Sequence, residues 1–261
     1  MITNAYSVGI GPLLDVARRA GAKIMEIYAR DFEIDYKEDE SPLTEAVKAG
    51  NEVIMEFLHA EHAGTPVISE ENKQLDYSER CDWTTFWLVD PLDGTKEFIK
   101  KNGEFTVNIA LVENGVPVIG VVYRPVTDTM YLGVVGEGAW RMEGSEEPVA
   151  IEGGPHYSEK EEIKVVASRS HLTPEVEEFV EELRAGGKTV EFLSAGSSLK
   201  ICLVAEGEAD VYPRFGPTME WDTGAAHAVA TAAGRKVLDA GTREALAYNK
   251  ENLLNPFFIV E

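Results

Sequence analysis

Basic residues are scarce: 24 lysines and arginines stand against 46 aspartates and glutamates in a chain of 261, a formal charge of −22. A surface of that sign repels nucleic acid backbones and anionic membranes, which disfavours a nucleic-acid-binding role. A small anionic substrate stays compatible only where metal ions reverse the local sign. Much of the acid lies in runs such as Glu159 to Glu162 and Glu175 to Glu182, which read as solvated surface. Cysteine is nearly absent. Cys81 and Cys202 are far apart and match neither a metal knuckle nor a disulfide framework, as expected of free thiols in a reducing compartment. No stretch of about 18 apolar residues occurs, and no basic segment followed by an apolar run opens the chain. The expectation is a soluble, cytoplasmic protein without an integral membrane segment, with peripheral contact at the inner membrane left open. Also lacking are the glycine-rich dinucleotide and Walker motifs, a nucleophile elbow beside His156, His171 or His227, and the HExxH spacing around His59 and His62. Dinucleotide chemistry and a serine or cysteine nucleophile gain little support.

What is present falls into two rhythms. Apolar residues from Leu13 to Tyr28 recur at three and four, predicting an amphipathic helix over residues 11–29. A second helix follows the polar stretch Glu38–Thr44, with Thr44 as its expected N-cap. Beyond these come β-rich runs, residues 105–112 and 116–123, joined by Glu113-Asn114-Gly115, a hairpin signal, and a second hairpin about Gly136-Glu137-Gly138. This is an α+β pattern. After a Gly-, Glu- and Pro-rich stretch, residues 143–162, strands and helices alternate in α/β fashion. Two domains are therefore expected, residues 1–150 and 151–261.

The chemistry concentrates where apolar runs end in acid. Phe86-Trp87-Leu88-Val89 stops at Asp90-Pro91-Leu92-Asp93-Gly94-Thr95, a buried strand delivering two carboxylates at its carboxyl end, where open α/β sheets place ligands. The pair can converge on a hard cation, and the amides after Asp93 suit an anion. An Asp/Pro/Gly turn capping a helix explains the same residues. Val67-Ile68-Ser69 likewise runs into Glu70-Glu71, and adjacent residues on a strand point to opposite faces, so one glutamate at most joins that site. In the second half, Trp221-Asp222 opens a helix of small residues. Ala195-Gly196-Ser197-Ser198-Leu199-Lys200 offers free amides and a lysine to an anion, and Ser168-Arg169-Ser170-His171 offers donors to a phosphate or a base. A capped helix and a surface turn are the plain alternatives for the last two.

Taken together, Ile68-Ser69-Glu70-Glu71, Asp90 to Thr95 and Trp221-Asp222 resemble the three signatures of the lithium-sensitive, magnesium-dependent phosphatases of the inositol monophosphatase superfamily. Within it, residues 87–110, 168–171, 196–207 and 212–217 and Asn255-Pro256 are most similar to the bacterial 3'(2'),5'-bisphosphate nucleotidases. The resemblance spans nearly the whole chain. It implies a layered αβαβα sandwich and hydrolysis of the 3'-phosphate of adenosine 3',5'-bisphosphate to AMP. It also implies that Glu70, Asp90, Asp93, Asp222 and the carbonyl of Leu92 hold Mg²⁺. Gly94 and Thr95 would contact the phosphate, and Ser168, His171, Gly196 and Lys200 the nucleotide. An inositol phosphate or another sugar phosphate is the alternative substrate.

One position departs from the pattern. The family expects an aspartate three residues past Thr44, where this chain has Val47. In relatives that carboxylate helps hold a third metal and pairs with the threonine matching Thr95 to orient the attacking water. Glu45 is displaced by about 200° around the helix and is a poor substitute, whereas Glu71 is a candidate to support the water. Reduced turnover is expected, which also keeps a weakly active nucleotide-binding protein in view.

Overall fold

Two helices, one seven-stranded sheet and a smaller mixed layer are stacked in the computed structural model, which describes residues 6–30, 42–72, 75–167 and 173–261. The apolar stripes become α1 (Ile10–Tyr28) and α2 (Pro42–Glu61). Leu13, Val16, Ala17, Ala20 and Ile24 of α1 are fully buried, the three-and-four spacing read from the sequence. The start of α2 differs from expectation. Pro42 takes its first position, where a fixed φ suits the helix and the missing N–H would have had no intrahelical acceptor, so Thr44 lies inside the first turn and is not its cap.

The sheet contains β1 (Val67–Ser69), β2 (Thr85–Asp93), β3 (Thr106–Glu113), β4 (Val116–Arg124), β5 (Thr129–Val134), β6 (Gly138–Glu143) and β7 (Val149–Ile151), side by side in chain order. β1 pairs with β2 in parallel, and every later pair is antiparallel. Asn114 and Gly115, at φ 50° and 76°, form the two-residue β3–β4 hairpin that Asn-Gly predicts. Two short helices flank β2, α3 (Tyr77–Arg80) before it and α4 (Thr95–Ile99) after it.

Strand alternation sorts the sheet's two faces. Trp87, Val89, Val107, Ile109 and Val121 join the core shared with α1 and α2. Phe86, Leu88, Ala110, Val112 and Val122 join the core on the other side, as the period of two requires. Each fully buried aliphatic or aromatic side chain there contributes roughly 1.5–3 kcal/mol.

That second face is covered by α6 (Leu199–Ala205) and α7 (Glu220–Ala232). Glycine lets α7 sit directly on the strands: a Cβ at Gly120 would lie 2.0 Å from Ala225 O, and one at Gly133 would lie 2.4 Å from Val229 Cα. Beyond lies a layer of β8 (Glu162–Ala167) parallel to β9 (Thr189–Ser194), and of β10 (Tyr212–Arg214), β11 (Val237–Asp239) and β12 (Phe258–Val260) in the order β10-β12-β11. A bridge between Val165 and Val211 joins the two parts. The last helix, α5 (Pro174–Ala185), packs Val180 against Ile163, Val165 and Ile259. The result is the layered αβαβα sandwich.

Candidate active site

The β2 strand positions the first two carboxylates. Its pairing with β3 runs in register from Thr85 to Asp90 and then shifts before Asp93, so the expected turn is a bulged strand end. Asp90 is 1% exposed, and its Oδ1 accepts a hydrogen bond from the amide of Leu92 at 3.0 Å. Gly94 then turns the chain at φ 95°, and Thr95, exposed, is the first residue of α4.

β1 ends at Ser69, so Glu70 and Glu71 stand in an exposed turn and not on a strand. The Glu70 amide bonds to Val89 O at 3.2 Å, pinning this turn beside β2. Asn51 of α2 accepts from Ser69 Oγ at 2.8 Å and braces the turn from the helix layer. Asp222 is the third residue of α7, inside its first turn, because the helix starts at Glu220 and its N-cap is Met219. Its Oδ2 accepts from the Met219 amide at 2.8 Å.

Glu70, Asp90, Asp93 and Asp222 come from three distant segments and form one electrostatic unit. Burial, then repulsion from Asp93, Glu70 and Asp222, pushes the Asp90 carboxyl far above the usual carboxylate range. Asp93 is pushed up to about 7, by burial first and then by Asp222, against the pull of Lys200. Asp222 rises to about 6, mainly from burial, with the Met219 amide opposing and Glu70 adding to it. Glu70 is raised by loss of hydration ahead of the repulsion from Glu71 and Asp93.

Among the described residues, no three His, Cys, Asp or Glu side chains form a ready-made metal-binding group. The three aspartates each give an oxygen to a backbone amide instead: Asp90 to Leu92, Asp93 to Ser198 at 2.6 Å, and Asp222 to Met219. The chemistry of the donors nevertheless fits a hard divalent cation. All four side chains are carboxylates, and the mutual repulsion that adds to burial in raising their pKa values is what such a cation relieves.

Beside the carboxylates is a cavity of about 170 Å³ whose lining includes Asp93, Gly94, Ser197, Lys200, Arg214 and Asp222. Burial lowers the Lys200 ammonium to about 8, with Asp93 opposing, and its Nζ donates to Ser197 O at 2.8 Å. Gly196 has to be glycine, since a Cβ there would lie 2.6 Å from Glu97 Cγ and 2.7 Å from Glu104 O. Ser168 and His171 lie outside the described residues.

Sequence reasoning assigns no role to Arg214, which lines this cavity; its Nη2 donates to Pro217 O at 3.0 Å, and its Nε is buried without a hydrogen-bond partner among the described residues. The only sequence signal was its place inside the Tyr212–Pro217 stretch. Val47 is 6% exposed and belongs to the core between α2 and the sheet. Gly50, three residues on and on the same helix face, is where a Cβ would lie 3.5 Å from Pro91 O, so this face of α2 looks onto the Asp90–Asp93 segment.

Comparison with known proteins finds relatives along nearly the whole chain. The model of the inositol monophosphatase family matches residues 10–256. The 3'(2'),5'-bisphosphate nucleotidase CysQ of Salmonella typhimurium is 47% identical over 248 residues, covering 94% of this chain and 96% of that protein. The Escherichia coli K12 protein of the same name is 46% identical with the same coverage. Among solved structures, CysQ from Bacteroides thetaiotaomicron superposes with a TM-score of 0.88 at 49% identity, over 98% of each chain. An inositol monophosphatase from Zymomonas mobilis shares the fold with a TM-score of 0.76 at 22% identity, over 99% of this chain and 94% of that one.

Proposed function

Because the chain belongs to the inositol monophosphatase family, we propose that it is a magnesium-dependent 3'(2'),5'-bisphosphate nucleotidase that converts adenosine 3',5'-bisphosphate to AMP and phosphate in nucleotide recycling linked to sulfur assimilation. The observation that carries this reading is the convergence of Glu70, Asp90, Asp93 and Asp222 beside a cavity that also presents Lys200 and Arg214. A phosphate ester with a second anionic group fits both parts of that site.

Mg²⁺ would be held by the four carboxylates and the Leu92 carbonyl, and when bound it supplies positive charge for the phosphate oxygens and makes water more acidic. The chain's own residues do the rest. Gly94 and the exposed Thr95 face the phosphate with first-turn amides that have no intrahelical acceptor. Ser168, His171, Gly196 and Lys200 orient the nucleoside. A water oxygen bonds to phosphorus as the bond to O3' breaks. The water's proton leaves toward Glu71, the leaving O3' takes up a proton from solvent water, and no covalent enzyme intermediate forms. Two lobes, residues 1–150 and 151–261, meet around this site.

A second reading rests on Val47. An isopropyl group accepts no proton and binds no cation, so a protein that binds the nucleotide and turns it over weakly also fits. The deciding experiment is phosphate release from adenosine 3',5'-bisphosphate and from inositol 1-phosphate across a Mg²⁺ titration, repeated with lithium. Preference for the bisphosphate, with inhibition by lithium, is the expected result. Preference for the inositol ester overturns the substrate, and tight nucleotide binding without release favours the second reading.

A further inference from the structure

Beneath the carboxylates, β3 carries two buried polar side chains in a strand that is otherwise apolar up to Glu113 at its end. Thr106 pairs with Asp93 across the β2–β3 register, and Asn108 pairs with Asp90. Alternation fixes their direction: Ala110 and Val112 belong to the core on the α7 side of the sheet, so Thr106 and Asn108 face that side too. Asp90, two residues beyond Leu88, shares it. Both polar residues are essentially inaccessible, Thr106 at 0% and Asn108 at 1%. Such groups destabilise a core unless they are hydrogen-bonded.

Their partner arrives from the other half of the chain. Ser198, 3% exposed, directly precedes α6 and follows Gly196 and Ser197. Its amide donates to Asp93 Oδ2 at 2.6 Å. Its Oγ is 2.9 Å from Asn108 Oδ1 and 2.9 Å from Thr106 Oγ1. An amide oxygen can only accept, so Ser198 donates its hydroxyl proton to Asn108, and Thr106 donates to Ser198. The chain of donors thus runs in one direction, from Thr106 through Ser198 to Asn108. Asn108 Nδ2 has no hydrogen-bond partner among the described residues. Its cross-strand neighbour is Asp90, whose Oδ1 already receives the Leu92 amide.

We propose that Thr106, Asn108 and Ser198 form a polar bracket that positions Asp90 and Asp93 as a pair for a divalent cation and ties Ser197 and the start of α6, which carries Lys200, to that pair. The three are positioning residues, acting through the aspartates and that segment. The purpose given to the bracket rests on the phosphatase reading above. Because one serine contacts a carboxylate with its backbone and the strand beneath it with its side chain, cation binding and substrate binding are coupled, and the coupling is reciprocal.

The test uses the full chain without substrate and measures Mg²⁺ binding by calorimetry, alongside the melting temperature in the absence of Mg²⁺. Thr106→Val keeps the shape and removes the donor, Ser198→Ala removes the hub, and Thr106→Ser restores the hydroxyl. Loss of about tenfold in Mg²⁺ affinity in the first two variants, with recovery in Thr106→Ser, is expected for residues that orient metal ligands. In turnover assays, Ser198→Ala raises the half-activating Mg²⁺ concentration and the nucleotide KM together. Variants that melt cooperatively and bind Mg²⁺ like the wild type, even at a lower melting temperature, would reduce the bracket to a structural filler and overturn the proposal. If Thr106→Val does not fold, Ser198→Ala against the wild type decides. A wild-type chain that binds Mg²⁺ but releases no phosphate from the nucleotide overturns the phosphatase reading and leaves the bracket to the binding data.

Discussion

At position 47, α2 places an isopropyl group on the face that looks toward Asp90–Asp93. Val47→Asp adds a carboxylate there, and kcat at saturating Mg²⁺ is expected to rise by about tenfold or more if a missing proton acceptor limits turnover. An unchanged kcat would show that Glu71 or another group already fills the role. A second residue offers a separate measurement. His227 is buried in α7, with its Nδ1 2.9 Å from the Tyr248 hydroxyl, and burial lowers its imidazole to about 4. Between that value and the ordinary 6.5, the unfolded chain takes up a proton that the folded chain does not. Stability from this residue is therefore complete above pH 6.5 and is lost as pH falls toward 4, by on the order of 3 kcal/mol at the acid limit. Urea midpoints of His227→Gln should fall less steeply than those of the wild type across that window. Single residues differed widely in how much the sequence revealed. Asp90 and Asp93 were legible because a long apolar run ends in them. Asn108 and Thr106 were not, because a polar residue inside a β-rich run does not announce whether it faces solvent or a buried partner. Arg214 sits in a three-residue strand, too short for any periodicity to give it a direction.

Among the elements, α7 bears the largest consequence for the site, because it carries Asp222 to carboxylates more than a hundred residues away in sequence. Gly120→Ala would put a methyl group 2.0 Å from Ala225 O, which a helix backbone cannot yield locally. The expected result is a loss of about 1–3 kcal/mol in denaturant titration, together with weaker Mg²⁺ binding as the helix is displaced. Wild-type Mg²⁺ affinity in a folded Gly120→Ala chain would show that Asp222 tolerates the shift. The sequence announced α7 through its small residues and placed its opening at Trp221-Asp222, so Glu220, the first helical residue, read as acid before the helix. Glu220 is instead fully buried, accepting from the amides of Asn249 at 2.7 Å and Lys250 at 3.0 Å. β12 was also hidden, since three apolar residues near the last position of the sequence carry no alternation to read. The β3–β4 hairpin was plain, because Asn-Gly dictates its own turn geometry.

For the whole molecule, the charge of −22 and the four-carboxylate unit act in the same direction. Without Mg²⁺, Asp93 at about 7 and Asp222 at about 6 hold protons that the unfolded chain has already released. Their stabilising protonation is complete near pH 4 and is lost as pH rises through 6 and 7. Magnesium held as proposed competes with those protons, so its addition should raise the melting temperature more at pH 8 than at pH 5.5. At 100 times the dissociation constant, the gain at pH 8 is about 5 °C. Equal gains at both pH values would mean that the cation binds elsewhere. The layered architecture was an implication of the resemblance, since the change of rhythm near residue 150 says only that the two halves alternate differently, and the docking of one layer on another depends on glycines whose neighbours are distant in sequence. The chain-order sheet has a consequence for how the protein matures. Its strands pair with their sequence neighbours, so hairpins can close early and locally, while Asp222 and Ser198 arrive only when the later helices dock. With the cation held as proposed, its capture would mark the last stage of folding: a chain emerging from synthesis would carry Asp90 and Asp93 for some time before it could hold the ion proposed for them.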